Sequence, residues 1–352
     1  MVAVVLALNS GSSSLKYGLY AVESEPVLLV GGTIETAEHH GDDHARFFDT
    51  IETALHAGPT PTVIGHRIVH GGPHRTAHCL IDDAVTADLV AACAFAPLHG
   101  PAALALIAAA RARYPGLPPV ACFDTAFHAD LPDVAQVLPI PRRYRASGVR
   151  RYGFHGLSCE SILAQLGGGV PSRLVIAHLG NGASVTAVRD GRSVDTSMGL
   201  TPSGGVTMAT RTGDIDPGIL LYLLRETGLD AGELAMMIDH DSGMAGISGL
   251  SGDMRVLRAA AGSNPDADLA IRMFERSVCK QIAAMAATLG GIDLLVLTGG
   301  IGEHDRATQQ AIGIGLAWLP GLAIRIVASR EDDEIARHAA RLSQVGGVRP
   351  SR

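Results

Sequence analysis

The chain has 352 residues, of which 47% are hydrophobic and 18% charged, so it has enough apolar material for packed cores and enough length to predict two domains. Its formal net charge is −7, aromatic residues make up only 4%, and no long basic run occurs. This balance argues against nucleic acid and anionic membranes as partners, and we expect neither.

Cysteine usage predicts a reducing compartment. The five cysteines are odd in number, widely spread and without a CxxC pair, which is typical of free thiols rather than of disulfides or a zinc site: Cys79, Cys93, Cys122, Cys159 and Cys279. The N-terminal MVAVVLALNS has no basic segment and predicts a strand rather than a signal peptide. No uncharged apolar stretch is long enough to span a bilayer, so we expect a cytoplasmic protein.

The first element contains LNSGSSSLKYGLY, residues 8–20, which resembles a phosphate-binding loop in composition. It lacks the G-x-x-x-x-G-K-[ST] pattern, because Lys16 follows a leucine and is followed by a tyrosine. The preceding Val2 to Leu8 is apolar, and the residues from Leu15 to Tyr20 alternate with period two. The stretch therefore predicts the tip of a β-hairpin.

A second stretch, residues 174–194, repeats this order of features in LVIAHLGNGASVTAVRDGRSV. An apolar strand from Leu174 to Ala177 leads to a turn at Gly180 to Gly182, and an alternating strand returns. A further strand is expected after each hairpin. Because the repeat lies half a chain away, we predict two related domains, each with a hairpin tip near a shared cleft.

Helices and further strands fill the intervals. Capping and proline signals predict helices at Pro101–Tyr114, from Asp216-Pro217 to Gly228, at Asp266–Leu289 and at Asp305–Trp318. A buried strand is predicted at Leu294–Leu297, followed by a glycine turn, and a further strand is predicted at Ala323–Ala328. The alternation of strands and helices predicts an α/β fold.

Three glycine-rich tips follow apolar strands: Asn9–Ser14, Gly180–Gly182 and Gly299–Gly302. Glycine removes the Cβ atom, so the backbone N–H groups of such tips approach phosphate closely. One such tip is common in any α/β fold, but three together favour a phosphate site over three unrelated turns.

Charged residues in apolar or small-residue settings supply the chemistry. Arg67 in IGHRIVHGG and Arg211 in MATRTGDIDPG each fit either a buried ion pair or a site for phosphate or carboxylate. Asp124 ends the apolar run in ACFDTAFH, whereas His155 in RRYGFHG and His99 in APLHGP are singly no more than packing or surface histidines. Together with the three tips, they indicate phosphoryl transfer to a small acceptor, because that reaction needs charge neutralisation and positioning more than a nucleophilic side chain.

The chain resembles the acetate kinase family in ten stretches that keep the family's order and span nearly its whole length: LNSGSSSLK, GHRIVHGG, APLHGP, FDTAFH, RRYGFHGLS, HLGNGAS, DTSMGLTP, MATRTGDIDPG, SGLSGDMR and LTGGIGE. The resemblance implies a duplicated βββαβαβα fold (ribonuclease H-like, actin-like ATPase) with nucleotide bound between two domains. It implies one domain at 1–127 with 335–352, closed by a C-terminal helix from about Ile335, and a second at 128–334 that carries the nucleotide site and a homodimer interface.

The resemblance also implies roles for individual residues. The catalytic set would be Arg67, Asp124, His155 and Arg211. The acyl substrate would be bound by Arg67 and an apolar pocket of Val69, Leu98, Phe154 and Pro202. The nucleotide would be bound by Lys16, by His178, Leu179, Gly180, Asn181 and Gly182, by Asp253, Met254 and Arg255, and by Gly299, Gly300, Ile301, Gly302 and Glu303. Magnesium (or manganese) would be bound by Asn9 and Glu331, with Asp332 as the alternative to Glu331.

The activity implied by the resemblance is reversible phosphoryl transfer from ATP to acetate, giving acetyl phosphate and ADP. Propionate or butyrate is the alternative acceptor, since one methylene changes binding in an apolar pocket by only about 1–3 kcal/mol. A nucleotide-binding switch of the same fold, without transfer activity, is a third hypothesis. The chain is shorter than typical members before GHRIVHGG and after Trp318, which bears on loop structure, metal geometry and substrate range.

Overall fold

The computed structural model describes residues 2–11, 14–35, 43–56, 58–97 and 99–345. Ser12 and Ser13 of the first predicted tip, Leu98 of the predicted acyl pocket and residues 346–352 of the predicted first domain lie outside these ranges.

The described strands are β1 (Ala3–Ser10), β2 (Ser14–Val22), β3 (Pro26–Glu35), β4 (Val63–Ile68), β5 (Cys79–Leu80), β6 (Pro119–Phe123), β7 (Arg173–Leu179), β8 (Ala183–Arg189), β9 (Arg192–Thr196), β10 (Leu294–Thr298) and β11 (Ala323–Ile326). The described helices are α1 (Asp43–Leu55), α2 (Asp83–Ala92), α3 (Gly100–Arg113), α4 (Asp133–Gln136), α5 (Arg142–Ala146), α6 (Gly156–Leu166), α7 (Pro217–Glu226), α8 (Ala231–Asp239), α9 (Gly243–Ser248), α10 (Met254–Ala260), α11 (Pro265–Leu289), α12 (Gly299–His304), α13 (Arg306–Gly315) and α14 (Glu331–Val345).

The chain divides into two compact units. Unit 1 comprises Met1–Ala129, Gly156–Ala164 and Arg330–Arg352, and unit 2 comprises Asp130–His155 and Gln165–Ser329. The predicted domain boundaries stay a prediction.

Each unit contains one sheet, and the two sheets share a strand order. In unit 1 the order is β3-β2-β1-β4-β6-β5, and in unit 2 it is β9-β8-β7-β10-β11. In both, the first three strands form an antiparallel meander, and two later strands add in parallel beside the first. The carboxyl ends of parallel neighbours meet at one edge of each sheet, which is where open α/β sheets bind ligands.

The core of unit 1 is completed from the far end of the sequence. Ile335, Ala336 and Ala339 of α14 are fully buried against a cluster that includes Val5 and Val63. The helix approaches β4 closely because residue 65 is glycine: a Cβ there would lie 2.6 Å from the Ile335 side chain.

Most predicted elements are confirmed, with the ends shifted by a few residues. Both hairpins, the third strand after each, and the helices at α3, α7 and α11 are present. Asp216 caps α7 as predicted, because its carboxylate accepts the Gly218 N–H at 2.9 Å.

Three expectations near the C-terminus are wrong in detail. The glycine turn expected after β10 is the first turn of helix α12, and the helix expected at Asp305–Trp318 covers only Arg306–Gly315. The C-terminal helix begins at Glu331 rather than near Ile335, since four acidic residues occupy its first turn, where the helix dipole favours negative charge.

Among the helices that the structure describes, none combines the length and apolarity that crossing a membrane requires.

Candidate active site

Unit 1 holds an arginine fixed by a buried carboxylate. Arg67 lies near the end of β4, and Asp124 follows the parallel neighbour β6, so strand pairing brings them together. The Arg67 Nη2 and Nε atoms donate to Asp124 Oδ2 at 2.6 and 3.1 Å, and Nε also lies 3.1 Å from Oδ1. Asp124 is only 1% exposed, so the ion pair is sheltered from water.

A second layer of polar groups meets the same arginine. Arg67 Nη1 donates to Asn9 Oδ1 at 3.0 Å and lies 3.7 Å from Glu331 Oε2. The amide of Asn9 in turn donates to Asp332 Oδ1 at 2.7 Å and to Glu331 Oε2 at 3.2 Å. Both candidate acids of α14 therefore contact the predicted metal residue Asn9.

The charges of this group are strongly coupled. Burial raises the pKa of Asp124 to about 6 while the Arg67 guanidinium opposes that rise, so the carboxyl is ionised at neutral pH. Burial also raises the pKa of Asp332, and the hydrogen bond from Asn9 and the charge of Lys16 act against this. Burial lowers the pKa of Arg67, but its carboxylate neighbours outweigh burial and keep it charged.

Lys16 is exposed on β2, directly opposite Asn9 in the register of the first hairpin. Its charge therefore lies near the acids of α14, and it lowers the pKa of Asp332.

The donor set of unit 1 fits a hard divalent cation. Three carboxylates and the Asn9 carbonyl gather around one guanidinium, and oxygen atoms are the ligands that magnesium prefers. Either acid of α14 is placed to take part, so the choice between Glu331 and Asp332 stays open.

Unit 2 holds a strained histidine. His155 is a non-glycine residue with φ of +60°, a conformation that occurs preferentially at functional sites. Its side chain is fixed on two sides: Nδ1 lies 2.9 Å from Ser184 Oγ, and the ring stacks on His178 with centroids 4.1 Å apart. His155 is 9% exposed, so its ring is held rigidly at the edge of solvent.

The turn after β7 lies directly beside this histidine. A Cβ at Gly182 would lie 3.3 Å from Arg211 Nη1 and 3.4 Å from His155 Nε2, so glycine lets the turn approach both side chains. Arg211 Nη1 also donates to the Pro202 carbonyl at 3.4 Å. The structure thus brings together three residues predicted from separate motifs.

The turns after β7 and β10 meet because these strands are parallel neighbours. A Cβ at Gly299, where φ is +77°, would lie 2.8 Å from the Leu179 carbonyl oxygen, and one at Gly180 would lie 4.0 Å from the Gly300 N atom. Two of the three predicted phosphate tips are therefore adjacent in unit 2.

Some predicted nucleotide residues have structural partners. Glu303 Oε1 accepts the N–H groups of Gly299 and Ser329 at 2.9 Å each, which fixes the start of α12. Asp253 caps α10 by accepting the Arg255 N–H at 2.8 Å, and Met254 is buried. Arg255 extends into solvent with its side chain 91% exposed, although it also contacts Asp253.

The predicted acyl-pocket residues are divided between the units. Val69 is half-buried in unit 1, where it lines a small apolar pocket with Ala92 and Ala96. Phe154 is buried and Pro202 half-buried in unit 2. Their joint action on one acyl group stays a prediction.

Sequence reasoning missed Ser184, the partner of the His155 ring. A signal was available, because Ser184 is the first polar residue after the turn in GNGAS. It also missed the contacts of His78, Glu160 and His338, for which no local motif exists.

A family model, sequence relatives and solved structures all relate the chain to acetate kinases. The model of the acetokinase family matches residues 34–333. The acetate kinase of Parabacteroides distasonis is 39% identical over 347 residues, covering 88% of this chain and 85% of that protein. The crystal structures of Porphyromonas gingivalis acetate kinase and a Francisella tularensis propionate kinase are 30% and 32% identical, with TM-scores of 0.83 and 0.84. Both alignments cover 97% of this chain and 100% of the other, which confirms the predicted duplicated, actin-like α/β fold.

Proposed function

Because the chain belongs to the acetokinase family, we propose that it transfers the γ-phosphoryl group of ATP to acetate, reversibly, and forms acetyl phosphate and ADP. The observation that carries the proposal is the fixed arginine of unit 1. Arg67 is held by Asp124 and Asn9 beside two further acids, an arrangement suited to orienting a carboxylate substrate and a metal-bound phosphate together.

The proposed reaction is a direct in-line displacement by the acetate carboxylate. A carboxylate has no proton to lose, so Asp124 is not needed as a general base. Its two oxygens hold the Arg67 guanidinium instead, which makes Asp124 a positioning residue. In unit 2 the Arg211 and His155 side chains beside Gly182 would neutralise charge on the equatorial phosphoryl oxygens.

Magnesium fits the oxygen-rich set of unit 1, with Asn9, Glu331 and Asp332 as the residues that would hold it. Bound there, it would neutralise charge on the ATP phosphates. Manganese has similar ligand preferences and is an expected substitute.

The turns after β7 and β10 are the proposed phosphate-binding part of the nucleotide site. They include His178–Gly182 and Gly299–Glu303, and Asp253–Arg255 are proposed to contact the nucleoside. The Gly180 and Gly299 N–H groups already donate to the Gly182 carbonyl and to Glu303 Oε1. Glycine at 180, 182 and 299 would therefore serve phosphate binding through the close approach of the backbone rather than through these two N–H groups.

Propionate is the second candidate acceptor. The 32% identity to the crystal structure of a propionate kinase favours it. The expected order is acetate ahead of propionate, with butyrate last, because each added methylene must fit the same apolar pocket.

We expect a homodimer formed through unit 2. Helix α7 has no buried residue, and its apolar side chains Leu221 and Tyr222 are 50% and 60% exposed. An exposed apolar helix face of this kind is typical of an interface between protein chains. All five cysteines are free, which supports a cytoplasmic location, and the absence of nucleic-acid and membrane partners stays a prediction.

The test is a hydroxamate assay with MgATP and acetate, propionate or butyrate, comparing kcat/KM. Turnover led by acetate supports the proposal, and a lead by propionate would move the assignment to the second candidate. ATP binding without transfer to any of the three acids would contradict both and favour a nucleotide-binding switch.

A further inference from the structure

Unit 1 contains a second cluster of ionisable side chains, formed by His78, Glu160 and His338, which we call the histidine clasp. His338 Nε2 lies 2.7 Å from Glu160 Oε2, and His78 Nε2 lies 3.5 Å from Glu160 Oε1. The two imidazole rings are in contact, with centroids 3.9 Å apart and planes tilted by 40°. The side chains are 6–20% exposed, so this is an enclosed arrangement rather than a solvated surface.

Three ligand-type side chains at such distances suggest a metal site, but the hydrogen bonds exclude one in this state. The Phe123 backbone N–H donates to His78 Nδ1 at 3.0 Å, and Arg341 Nη2 lies 3.1 Å from His338 Nδ1. Backbone amides and guanidinium groups are donors only, so each Nδ1 accepts and each neutral ring carries its proton on Nε2. A protonated Nε2 has no lone pair for a metal. The His338 Nε2–H donates to Glu160 Oε2 at 2.7 Å, and His78 Nε2 lies 3.5 Å from Glu160 Oε1 without a hydrogen bond.

The clasp is connected to Asp124 along two routes. Phe123 precedes Asp124 and is the last residue of β6, and its N–H finds an acceptor in His78. From the other side, the Gly156 N–H donates to the Asp124 carbonyl at 2.9 Å, and Gly156 begins the helix that carries Glu160 one turn later. The contact is tight, since a Cβ at Gly156 would lie 2.4 Å from that carbonyl oxygen.

We propose that Glu160, His78 and His338 are positioning residues for phosphoryl transfer, because the clasp ties α6 and α14 to the end of β6 and so fixes Asp124 and, through it, Arg67. This inference rests on the proposed function and extends it to three residues that make no contact with Arg67 in the structure. The clasp acts by geometry: its ionised carboxylate accepts the His338 Nε2–H and lies 3.5 Å from His78 Nε2, which favours for both rings the one tautomer that leaves Nδ1 free to accept.

The electrostatics of the clasp agree with this arrangement. Burial alone would raise the pKa of Glu160. The interactions with His338 and His78 outweigh burial and lower that pKa to about 2, so the carboxylate is ionised. Burial lowers the pKa of His78, which favours its neutral ring. The titratable and charged groups that act on the clasp from the neighbouring elements are Arg341 and Glu334 of α14, and Cys122 and Asp124 at the end of β6. Arg337 acts on Glu334.

The substitution Glu160→Gln tests the proposal because it replaces one acceptor oxygen with an NH2 group. One Nε2–H then faces another donor, and His78 can relieve the conflict only by moving its proton to Nδ1, against the Phe123 N–H. We expect kcat to fall about 10- to 100-fold and KM for acetate to rise, as small displacements of a positioned group produce, with KM for ATP unchanged.

The matched control is Asp88→Asn. Asp88 is a carboxylate of unit 1 with similar exposure that is likewise bonded to a basic residue, Arg75, at 2.7 Å, but it lies outside the clasp. We expect it to keep kcat within about twofold. If Glu160→Gln loses thermal stability but keeps wild-type kcat and KM for acetate, the clasp is merely structural and the proposal is wrong.

A measurement on the wild-type protein keeps the proposal testable if Glu160→Gln does not fold or the protein is not a kinase. Long-range ¹H–¹⁵N NMR distinguishes the two imidazole tautomers directly. We expect His78 and His338 as Nε2–H tautomers, with zinc chloride alone leaving their signals unchanged. An Nδ1–H pattern for either ring, or zinc binding at Nε2, would overturn the tautomer assignment on which the clasp depends.

Discussion

The two arginines proposed to act on the phosphoryl group lie in units with one common strand order, yet their surroundings differ. Arg67 is bound to Asp124, bonded to Asn9 and close to Glu331, so its charge is already matched by carboxylates. Arg211 lies beside a glycine turn and His155, with its Nη1 on a backbone carbonyl. Under the proposed function, unit 1 would position the carboxylate substrate and a cation, and unit 2 would place positive charge next to the phosphate.

The largest effect that would test this comparison is expected from Arg211→Ala. An arginine that stabilises a phosphoryl-transfer transition state contributes roughly 10³–10⁵ in rate, so kcat should fall by that order. The melting temperature should change little, because Arg211 is half-buried and bonds a loop carbonyl. Steady-state kinetics and calorimetry measure both quantities, and a small loss of kcat with a large loss of stability would reverse the assignment.

Unlike Arg211→Ala, the substitution Arg67→Ala should lower the free energy of unfolding as well as kcat. Removing the guanidinium leaves the 1%-exposed Asp124 without its partner, and breaking a buried pair in this way typically costs about 3–5 kcal/mol. Urea unfolding followed by circular dichroism measures the loss. The double variant Arg67→Met with Asp124→Leu is the control, since it removes both charges and should recover much of the stability while remaining inactive.

Asp124→Asn addresses the positioning role. Asparagine keeps one acceptor for Arg67 but loses the bidentate pairing, so we expect kcat to fall about 10- to 100-fold. The fold should remain, which near-ultraviolet circular dichroism checks. Near-normal turnover in this variant would show that orientation of Arg67 by Asp124 does not matter to the reaction.

The metal assignment in unit 1 predicts a smaller, concentration-dependent effect. Glu331→Gln and Asp332→Asn should each raise the magnesium concentration needed for half-maximal activity, by about tenfold or more for the residue that holds the ion. Titrating magnesium at saturating ATP and acetate separates the two acids. If both variants keep wild-type activity at limiting magnesium, the assignment of the cation to unit 1 is wrong.

The smallest predicted effect concerns acid stability. The pKa of Glu160 is lowered in the folded state to about 2 from its ordinary 4.5, so its contribution is fully present above the unfolded value and is lost as pH falls towards 2. Wild-type stability relative to Glu160→Gln should therefore decrease by roughly 1 kcal/mol between pH 5.5 and 4. Denaturant unfolding at several pH values measures this, and a constant difference would mean that the carboxylate is not specially stabilised by the histidines.

The sequence predicted the features that depend on local pattern. An apolar run before each glycine tip and period-two alternation after it predicted the hairpins, and capping residues predicted α7 and α11. Arg67 and Asp124 stood out because each is a charge in or after an apolar strand. Their pairing follows from the parallel alignment of β4 with β6, which links residues 57 positions apart.

Other features depend on tertiary structure and had no local signal. Asn9 meets Glu331 and Asp332 only because α14 returns to β1 from the end of the chain. The histidine clasp joins a loop and two helices with no characteristic spacing. The left-handed conformation of His155 is equally invisible in YGFHG, where the neighbouring glycines are the expected residues for such a backbone.

The position of α14 has a consequence for synthesis of the protein. Ile335, Ala336 and Ala339 cover an apolar sheet face that strands β1, β4 and β6 form much earlier in translation. That face stays open on the ribosome while the continuous part of unit 2 is made, so it is the surface most exposed to chaperones and to misassembly. The same helix brings Glu331 and Asp332 to Asn9, and a chain that stops short of it lacks both its last core layer and its acidic ligands.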